Sequence, residues 1–229
     1  MKVLGLLGGM SWESTVEYYR LINEETRARL GGLHSAPLLL WSVDFAEIEA
    51  LQVAGRWEEA GSHLAEAARA LETAGAELLV LCTNTMHKVA GAIESAVQIP
   101  LVHIVDSVAE AVAGAGTKRV GLLGTRFTME EPFWADRMAG HGIGVLVPEA
   151  DDREIVHRII YEELCLGVFG DDSRTTFVDI IGRLADAGAG GVVLGCTEIE
   201  LLVRPDDTEV PVFPSTALHV RSAVQAALR

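Results

Sequence analysis

The chain has 229 residues, 49% of them hydrophobic and 22% charged, which is enough apolar material for folded cores and too ordered a composition for a disordered chain. Its 33 acidic against 18 basic residues give a formal charge of −15, so a nucleic-acid surface built on clustered lysine and arginine is excluded. An anionic ligand would have to be held by local dipoles against the field of the whole molecule.

Three widely spaced cysteines make no disulfide framework and are expected as thiols in a reducing compartment, read here as the cytoplasm. The apolar start Val3–Leu7 is too short for a membrane span and runs into Gly8-Gly9 without the cleavage pattern of a signal peptide, so no membrane association is expected.

Along the chain, short apolar runs alternate with helical stretches, the pattern of βαβ units and parallel sheets. Strands are expected at 2–7, 37–43, 77–81, 101–103, 119–123, 144–147, 191–195 and 210–213. Between them lie amphipathic segments such as Trp57–Thr73, where Leu64, Ala67, Ala68 and Leu71 fall at helical spacing.

The chain also repeats itself once. Gly5-Leu6-Leu7-Gly8 returns as Gly121-Leu122-Leu123-Gly124, and the apolar run closed by Cys82-Thr83 returns as the run closed by Cys196-Thr197. Ile99-Pro100-Leu101-Val102 returns as Val210-Pro211-Val212-Phe213. The expected fold class is therefore α/β with two pseudo-symmetric domains, each a parallel sheet flanked by helices. The first is placed at 1–100, completed by 210–229, and the second at 101–209.

In such sheets ligands collect at the carboxyl ends of strands, where helix N-termini present free N–H groups. Gly8-Gly9-Met10-Ser11, Cys82-Thr83-Asn84-Thr85, Gly124-Thr125-Arg126 and Cys196-Thr197-Glu198 all fall there. Gly8-Gly9 lacks the third glycine of a dinucleotide fingerprint, which favours a carboxylate ligand over a pyrophosphate. No CxxC or HxxxH spacing marks a metal site.

A cysteine at a helix N-terminus is expected to have a lowered pKa, ready to act as base or nucleophile. Two such thiols at equivalent repeat positions suit one task in particular. One removes a proton from a carbon and the other returns a proton to the opposite face, with one member charged and the other neutral.

His87, a turn beyond Cys82, reads as a supporting residue, and Lys88 as a solvated lysine rather than a pyridoxal anchor. Glu198 reads either as a partner for a substrate ammonium or as an acid placed in a first helical turn for dipole reasons. Trp12, Trp41, Trp57 and Trp134 read as packing residues. Arg126 reads either as a positive charge supplied to the site from the second-half loop or, as for most lone arginines, as an exposed side chain.

The segments Leu7-Gly8-Gly9-Met10-Ser11-Trp12, Cys82 to His87, Gly121 to Thr125, Ile160-Tyr161-Glu162-Glu163-Leu164 and Gly195-Cys196-Thr197-Glu198 resemble the cofactor-independent aspartate/glutamate racemases over essentially the whole chain. The resemblance implies an isomerase without cofactor or metal, acting on a small amino acid, with its active site in the cleft between two α/β domains and often as a homodimer. It implies Cys82 and Cys196 as the acid/base pair, and substrate contacts at Met10, Gln52, Thr83, Asn84, Thr85, Thr125 and Thr197.

Aspartate-specific members resemble this chain around Tyr161 but carry a lysine where Cys165 stands, and an arginine near Ile48 or Glu49. Without those cations the side-chain carboxylate of a dicarboxylic substrate loses its charged partner. The segment Glu163-Leu164-Cys165-Leu166-Gly167 and Gln52 instead resemble broader-specificity members, which implies a racemase with relaxed side-chain preference. Cys165 reads as a pocket wall or core residue. Relatives on the same scaffold include maleate cis–trans isomerases, arylmalonate decarboxylases and hydantoin racemases, and a non-catalytic two-lobed protein binding a small carboxylate is the reading from a different class.

Overall fold

Strand β1 (Leu4–Gly8) opens the computed structural model, which describes residues 1–229, and it is buried along its whole length. That burial is why its sequence is an apolar run rather than an alternation: a parallel strand is covered on both faces. Helix α1 (Trp12–Leu30) follows, then β2 (Leu38–Ser42), α2 (Phe45–Val53), α3 (Trp57–Thr73) and β3 (Leu78–Leu81). A 3₁₀ turn at Thr85–Val89, α4 (Ala90–Glu94) and β4 (Leu101–Val102) complete the first sheet, whose order is β2-β1-β3-β4, all parallel.

The second half repeats this plan. Helix α5 (Ile104–Gly114) leads to β5 (Arg119–Leu123), α6 (Arg126–Glu130), α7 (Pro132–Gly140), β6 (Gly144–Leu146), α8 (Ala150–Glu162), α9 (Asp171–Asp186) and β7 (Val192–Leu194). Then come α10 (Thr197–Leu202), β8 (Val212–Pro214) and α11 (Ser215–Ala227). The order β6-β5-β7-β8, again parallel, is that of the first sheet. All eight strands read from the sequence form, with ends moved by a residue or two, and the α/β class with two four-stranded parallel sheets stands.

The chain divides into two compact units, residues 1–103 with 219–229, and residues 104–218. In the first, Leu7, Leu79 and Leu81 pack with Leu64, Ala68 and Leu71 of α3 on one face of the sheet. Leu4, Leu6 and Val80 pack with Tyr18 and Ile22 of α1 and Val220 and Val224 of α11 on the other. In the second unit, Leu123, Val192 and Leu194 meet Phe177, Ile180 and Ile181 of α9 on one face, and Val120, Leu122 and Val193 meet Val105, Val108 and Trp134 on the other. Each large aliphatic side chain buried this way contributes about 1.5–3 kcal/mol.

The repeat is also a repeat of close approaches. A Cβ on Gly8 would lie 2.5 Å from Cγ2 of Thr15, and one on Gly124 would lie 3.0 Å from Cβ of Thr128. In both copies the glycine at the strand's end, Gly8 closing β1 and Gly124 following β5, lets the first turn of the next helix press against the sheet, bringing that helix N-terminus beside the strand end.

Candidate active site

In each sheet the connections leave the two central strands in opposite directions, β1 towards β2 and β3 towards β4, and likewise β5 towards β6 and β7 towards β8. Such a switch point opens a crevice at the carboxyl ends of the central pair. In the first unit those ends carry Gly8–Ser11 and Cys82–Thr85. In the second they carry Gly124-Thr125 and Cys196–Glu198.

The first loop is held by α1. Ser11 caps the helix, its Oγ accepting from the Ser14 N–H at 3.2 Å, while Oγ1 of Thr15 accepts from the Gly9 N–H at 2.8 Å and donates to the Ser11 carbonyl at 2.8 Å. Gly9 has φ +91°, and a Cβ there would stand 2.2 Å from the Val43 carbonyl oxygen, so glycine is required by conformation and by space. Met10 is buried in the core against α2 and α3.

The Cys82 N–H continues the β1–β3 ladder by donating to the Leu7 carbonyl at 2.9 Å, which places the thiol immediately past β3. Thr83, Asn84, Thr85 and His87 are all buried. His87 donates from Nδ1 to the Thr83 carbonyl at 2.7 Å, tying the loop to the turn that follows it. Its ring meets that of His103 edge-on with centroids 4.5 Å apart. Gln52 of α2 is buried and donates from Nε2 to Sδ of Met86 at 2.9 Å, while its Oε1 is buried without a hydrogen-bond partner.

In the second unit the Gly195 N–H donates to the Leu123 carbonyl at 2.6 Å, and Cys196 stands at the N-cap of α10. Its Sγ donates to Oε2 of Glu198 at 2.9 Å, and the Glu198 side chain is buried. Thr197 Oγ1 lies 2.9 Å from Oγ1 of Thr216. Thr125 caps α6, its Oγ1 accepting from the Thr128 N–H at 3.3 Å. Cys165 and Tyr161 pack against the same core as Cys196.

Two readings of the sequence need correction. A helix N-terminus was expected to lower the thiol pKa values, but burial pushes both thiols up. For Cys82 burial is the cause, and for Cys196 burial comes first, followed by the charge of Glu198 and the neighbouring Cys165. The positive end of a six-residue helix does not offset that desolvation. Trp12 and Trp41, read as packing residues, are exposed, whereas Trp134 is fully buried and Trp57 carries the Lys88 ammonium over its ring at 4.0 Å. Arg126 is exposed, as read.

Sequence reasoning missed the Cys196–Glu198 hydrogen bond and two enclosed polar groups. Glu200, on α10, accepts from the N–H groups of Thr216 at 2.6 Å and Ala217 at 3.4 Å and from the Ser215 hydroxyl at 3.3 Å, filling the N-terminus of α11. Burial pushes its carboxyl up to about 8 against those donors. His219 donates from Nε2 to the Val102 carbonyl at 2.7 Å and accepts the Tyr18 hydroxyl at Nδ1 at 2.9 Å.

The Asp/Glu/hydantoin racemase family model matches residues 7–223 and so spans both sheets and both cysteine loops. The chain belongs to that family. A crystallised protein from Yersinia pestis shares 53% identity and a TM-score of 0.94, with both chains covered completely. An aspartate racemase homologue from Pyrococcus horikoshii shares 36% identity and a TM-score of 0.88, again over the whole of both chains. The broad-specificity amino-acid racemase RacX of Bacillus subtilis is 21% identical over 169 residues, covering 69% of this chain and 68% of that protein. The protein is thus a racemase-family isomerase, and small amino acids are the substrates its family acts on. No helix of this racemase is long and apolar enough to cross a membrane.

Proposed function

We propose that the protein inverts the α-carbon of a free amino acid without pyridoxal phosphate, with Cys82 and Cys196 acting from opposite faces of that carbon. The observation that carries this reading is the matching placement of the two thiols: each lies just past the third strand in order of its sheet, at the switch point, in two copies of one plan, Cys82 immediately after β3 and Cys196 one residue further on after β7. A single proton donor or a single nucleophile would need only one of them.

Burial of the Cys82 thiol, and enclosure of the part-buried Cys196 thiol beside the Glu198 charge, push both up and fix when charge appears. In the free protein both cysteines are neutral, and the thiolate forms only when a cation arrives to replace lost hydration. The substrate ammonium is that cation. Its N–H groups have an acceptor waiting in the unpartnered, buried Oε1 of Gln52.

For Cys196 the proton has a defined destination. Transfer from Sγ to the Glu198 carboxylate, 2.9 Å away, yields a thiolate and a neutral carboxylic acid with no proton lost to solvent. That thiolate takes the α-proton and again becomes a thiol. Negative charge develops on the substrate carboxylate, met by donors of the Thr83–Thr85 and Thr125 loops, and Cys82 delivers its own proton to the other face. With product still bound, Cys82 is thiolate and Glu198 is protonated, the state from which the reverse inversion starts; as the product ammonium departs, Cys82 regains a proton and Glu198 releases one, and both thiols are neutral again.

The side-chain preference is relaxed. Cys165 stands beside Cys196 where aspartate-specific relatives place a lysine, so no fixed ammonium selects a second carboxylate. The test is α-proton exchange in deuterium oxide for a panel of L- and D-amino acids without added pyridoxal phosphate. Inversion with deuterium gained at Cα for several side chains supports the reading. Strict confinement to aspartate would remove the relaxed preference, and an absence of exchange in every amino acid would remove the racemase reading itself.

A further inference from the structure

Strands β7 and β8 lie side by side, and each runs at its carboxyl end into a helix with a buried threonine in its first turn. Thr197 opens α10 directly after Cys196, and Thr216 is the second residue of α11. Both side chains are buried, and their Oγ1 atoms are 2.9 Å apart. Behind them stands Glu200, nearly one turn along α10 from Thr197. Its carboxyl accepts the Thr216 N–H at 2.6 Å and is also hydrogen-bonded by the Thr216 hydroxyl. A short chain of hydrogen bonds therefore runs from a buried carboxyl, through Thr216, to the residue next to a proposed acid/base thiol.

Each hydroxyl in this chain has a single hydrogen to give, so the state of the carboxyl sets the direction of every bond. An ionised Glu200 only accepts: Thr216 donates to the carboxylate, Thr197 donates to Thr216, and Thr197 shows a ligand lone pairs alone. A protonated Glu200 donates to the Thr216 hydroxyl, Thr216 donates to Thr197, and the Thr197 hydrogen is left for a ligand. The reversal needs one proton from solvent and rotation of two hydroxyls.

We propose that Glu200 and Thr216 set the direction of the Thr197 hydroxyl, which donates to the substrate carboxylate only while Glu200 is a neutral acid. This role, which rests on the racemase reading, makes Glu200 and Thr216 positioning residues, since neither touches substrate. Burial pushes the Glu200 carboxyl up to about 8, so it is neutral at pH 7 and ionised at pH 9. The titratable and charged groups around it are few. On α10 they are Cys196 and Glu198, and on the turn Leu164–Leu166 packed against α10, Cys165. Arg174 of α9 is taken up by the Leu202 carbonyl, Asp171 and Asp207. On α11, His219 faces Tyr18 and Val102, and Arg221 is exposed. Strands β7 and β8 carry none. What bears on the Glu200 charge is burial, opposed by the donors of Thr216, Ala217 and Ser215.

The test is kcat/KM of the full chain across alkaline pH, for whichever amino acid of the deuterium panel exchanges its α-proton fastest. At each pH the wild-type value is divided by that of Glu200→Gln, whose amide accepts the Thr216 N–H and donates to its hydroxyl whatever the pH. Division cancels the thiols, Glu198 and the substrate ammonium, which titrate in both proteins. The ratio falls about 10-fold from one pH unit below the Glu200 pKa to one above it, and the fall lies in KM, since Thr197 holds the carboxylate before as well as during proton transfer. Thr216→Ser keeps the fall, and Thr216→Val, similar in shape but without the hydroxyl, loses it. Circular dichroism melts confirm that the variants are folded. A ratio that stays flat with pH, or a fall that persists in Thr216→Val, overturns the chain while α-proton exchange, and with it the racemase reading, stands. Absence of exchange in every amino acid overturns that reading and the chain together.

Discussion

His219 makes the first unit sensitive to acid in a way that one substitution isolates. The ring is fully buried on α11, donating to the Val102 carbonyl and accepting from Tyr18, and the second of these bonds requires the neutral imidazole. Burial lowers its pKa from 6.5 to about 4, against a smaller opposing pull from the Val102 carbonyl. The folded-state pKa is the lower one, so the unfolded chain gains a proton first as pH falls. Stability is fully present above 6.5 and is lost between there and 4. At pH 5 the unfolded chain is almost wholly protonated at this site and the folded chain is not, which amounts to about 2 kcal/mol lost relative to pH 7.5.

His219→Gln keeps both partners, since a side-chain amide can donate to Val102 and accept from Tyr18, but it does not titrate. Urea unfolding of the two proteins at pH 7.5 and 5.0 is the assay. Titrating groups that do not touch His219 are common to both proteins and cancel in the comparison. Wild type loses about 2 kcal/mol more than the variant between the two pH values. Parallel losses in the two proteins, or a His219 pKa near 6.5 measured by NMR, would refute the argument.

Gly9→Ala places a side chain at φ +91° and 2.2 Å from the Val43 carbonyl, and is expected to cost about 3–5 kcal/mol, visible as a melting point lower by roughly 10 °C. Glu198→Gln removes the charge that is second to burial in raising the Cys196 pKa, so iodoacetamide labelling of Cys196 at pH 8, read by mass spectrometry, becomes several-fold faster. Slower labelling would contradict the assigned contact. Glu200, raised from 4.5 to about 8, contributes stability that is complete below 4.5 and is lost as pH rises through 8. Wild type is therefore expected to lose about 2 kcal/mol more than Glu200→Gln between pH 6.5 and 9 in the same urea assay.

The sheets were legible because parallel strands buried on both faces leave unbroken apolar runs, and those runs stand out between amphipathic helices. The cysteines were legible because the duplication marks them twice. Their ionisation was not: a helix N-terminus can be read from sequence, but the burial that outweighs it depends on how α10 and the Cys82 loop are enclosed. Glu198 could be placed in a first turn, yet its hydrogen bond to Cys196 depends on rotamers at two adjoining positions. The Tyr18–His219 pair spans 201 residues, and no local pattern announces it. The exposure of Trp12 escaped for a related reason: α1 has apolar residues on two sides, and sequence alone does not say which side the sheet takes.

The most direct test of the two-thiol reading is to follow each enantiomer of a turned-over amino acid in deuterium oxide with Cys82→Ser and Cys196→Ser separately. Both variants are expected to lose inversion by at least about 10³-fold while remaining folded, and each to retain exchange of the α-proton from one enantiomer only, the opposite one in the two variants. Near wild-type inversion by either variant would contradict the account.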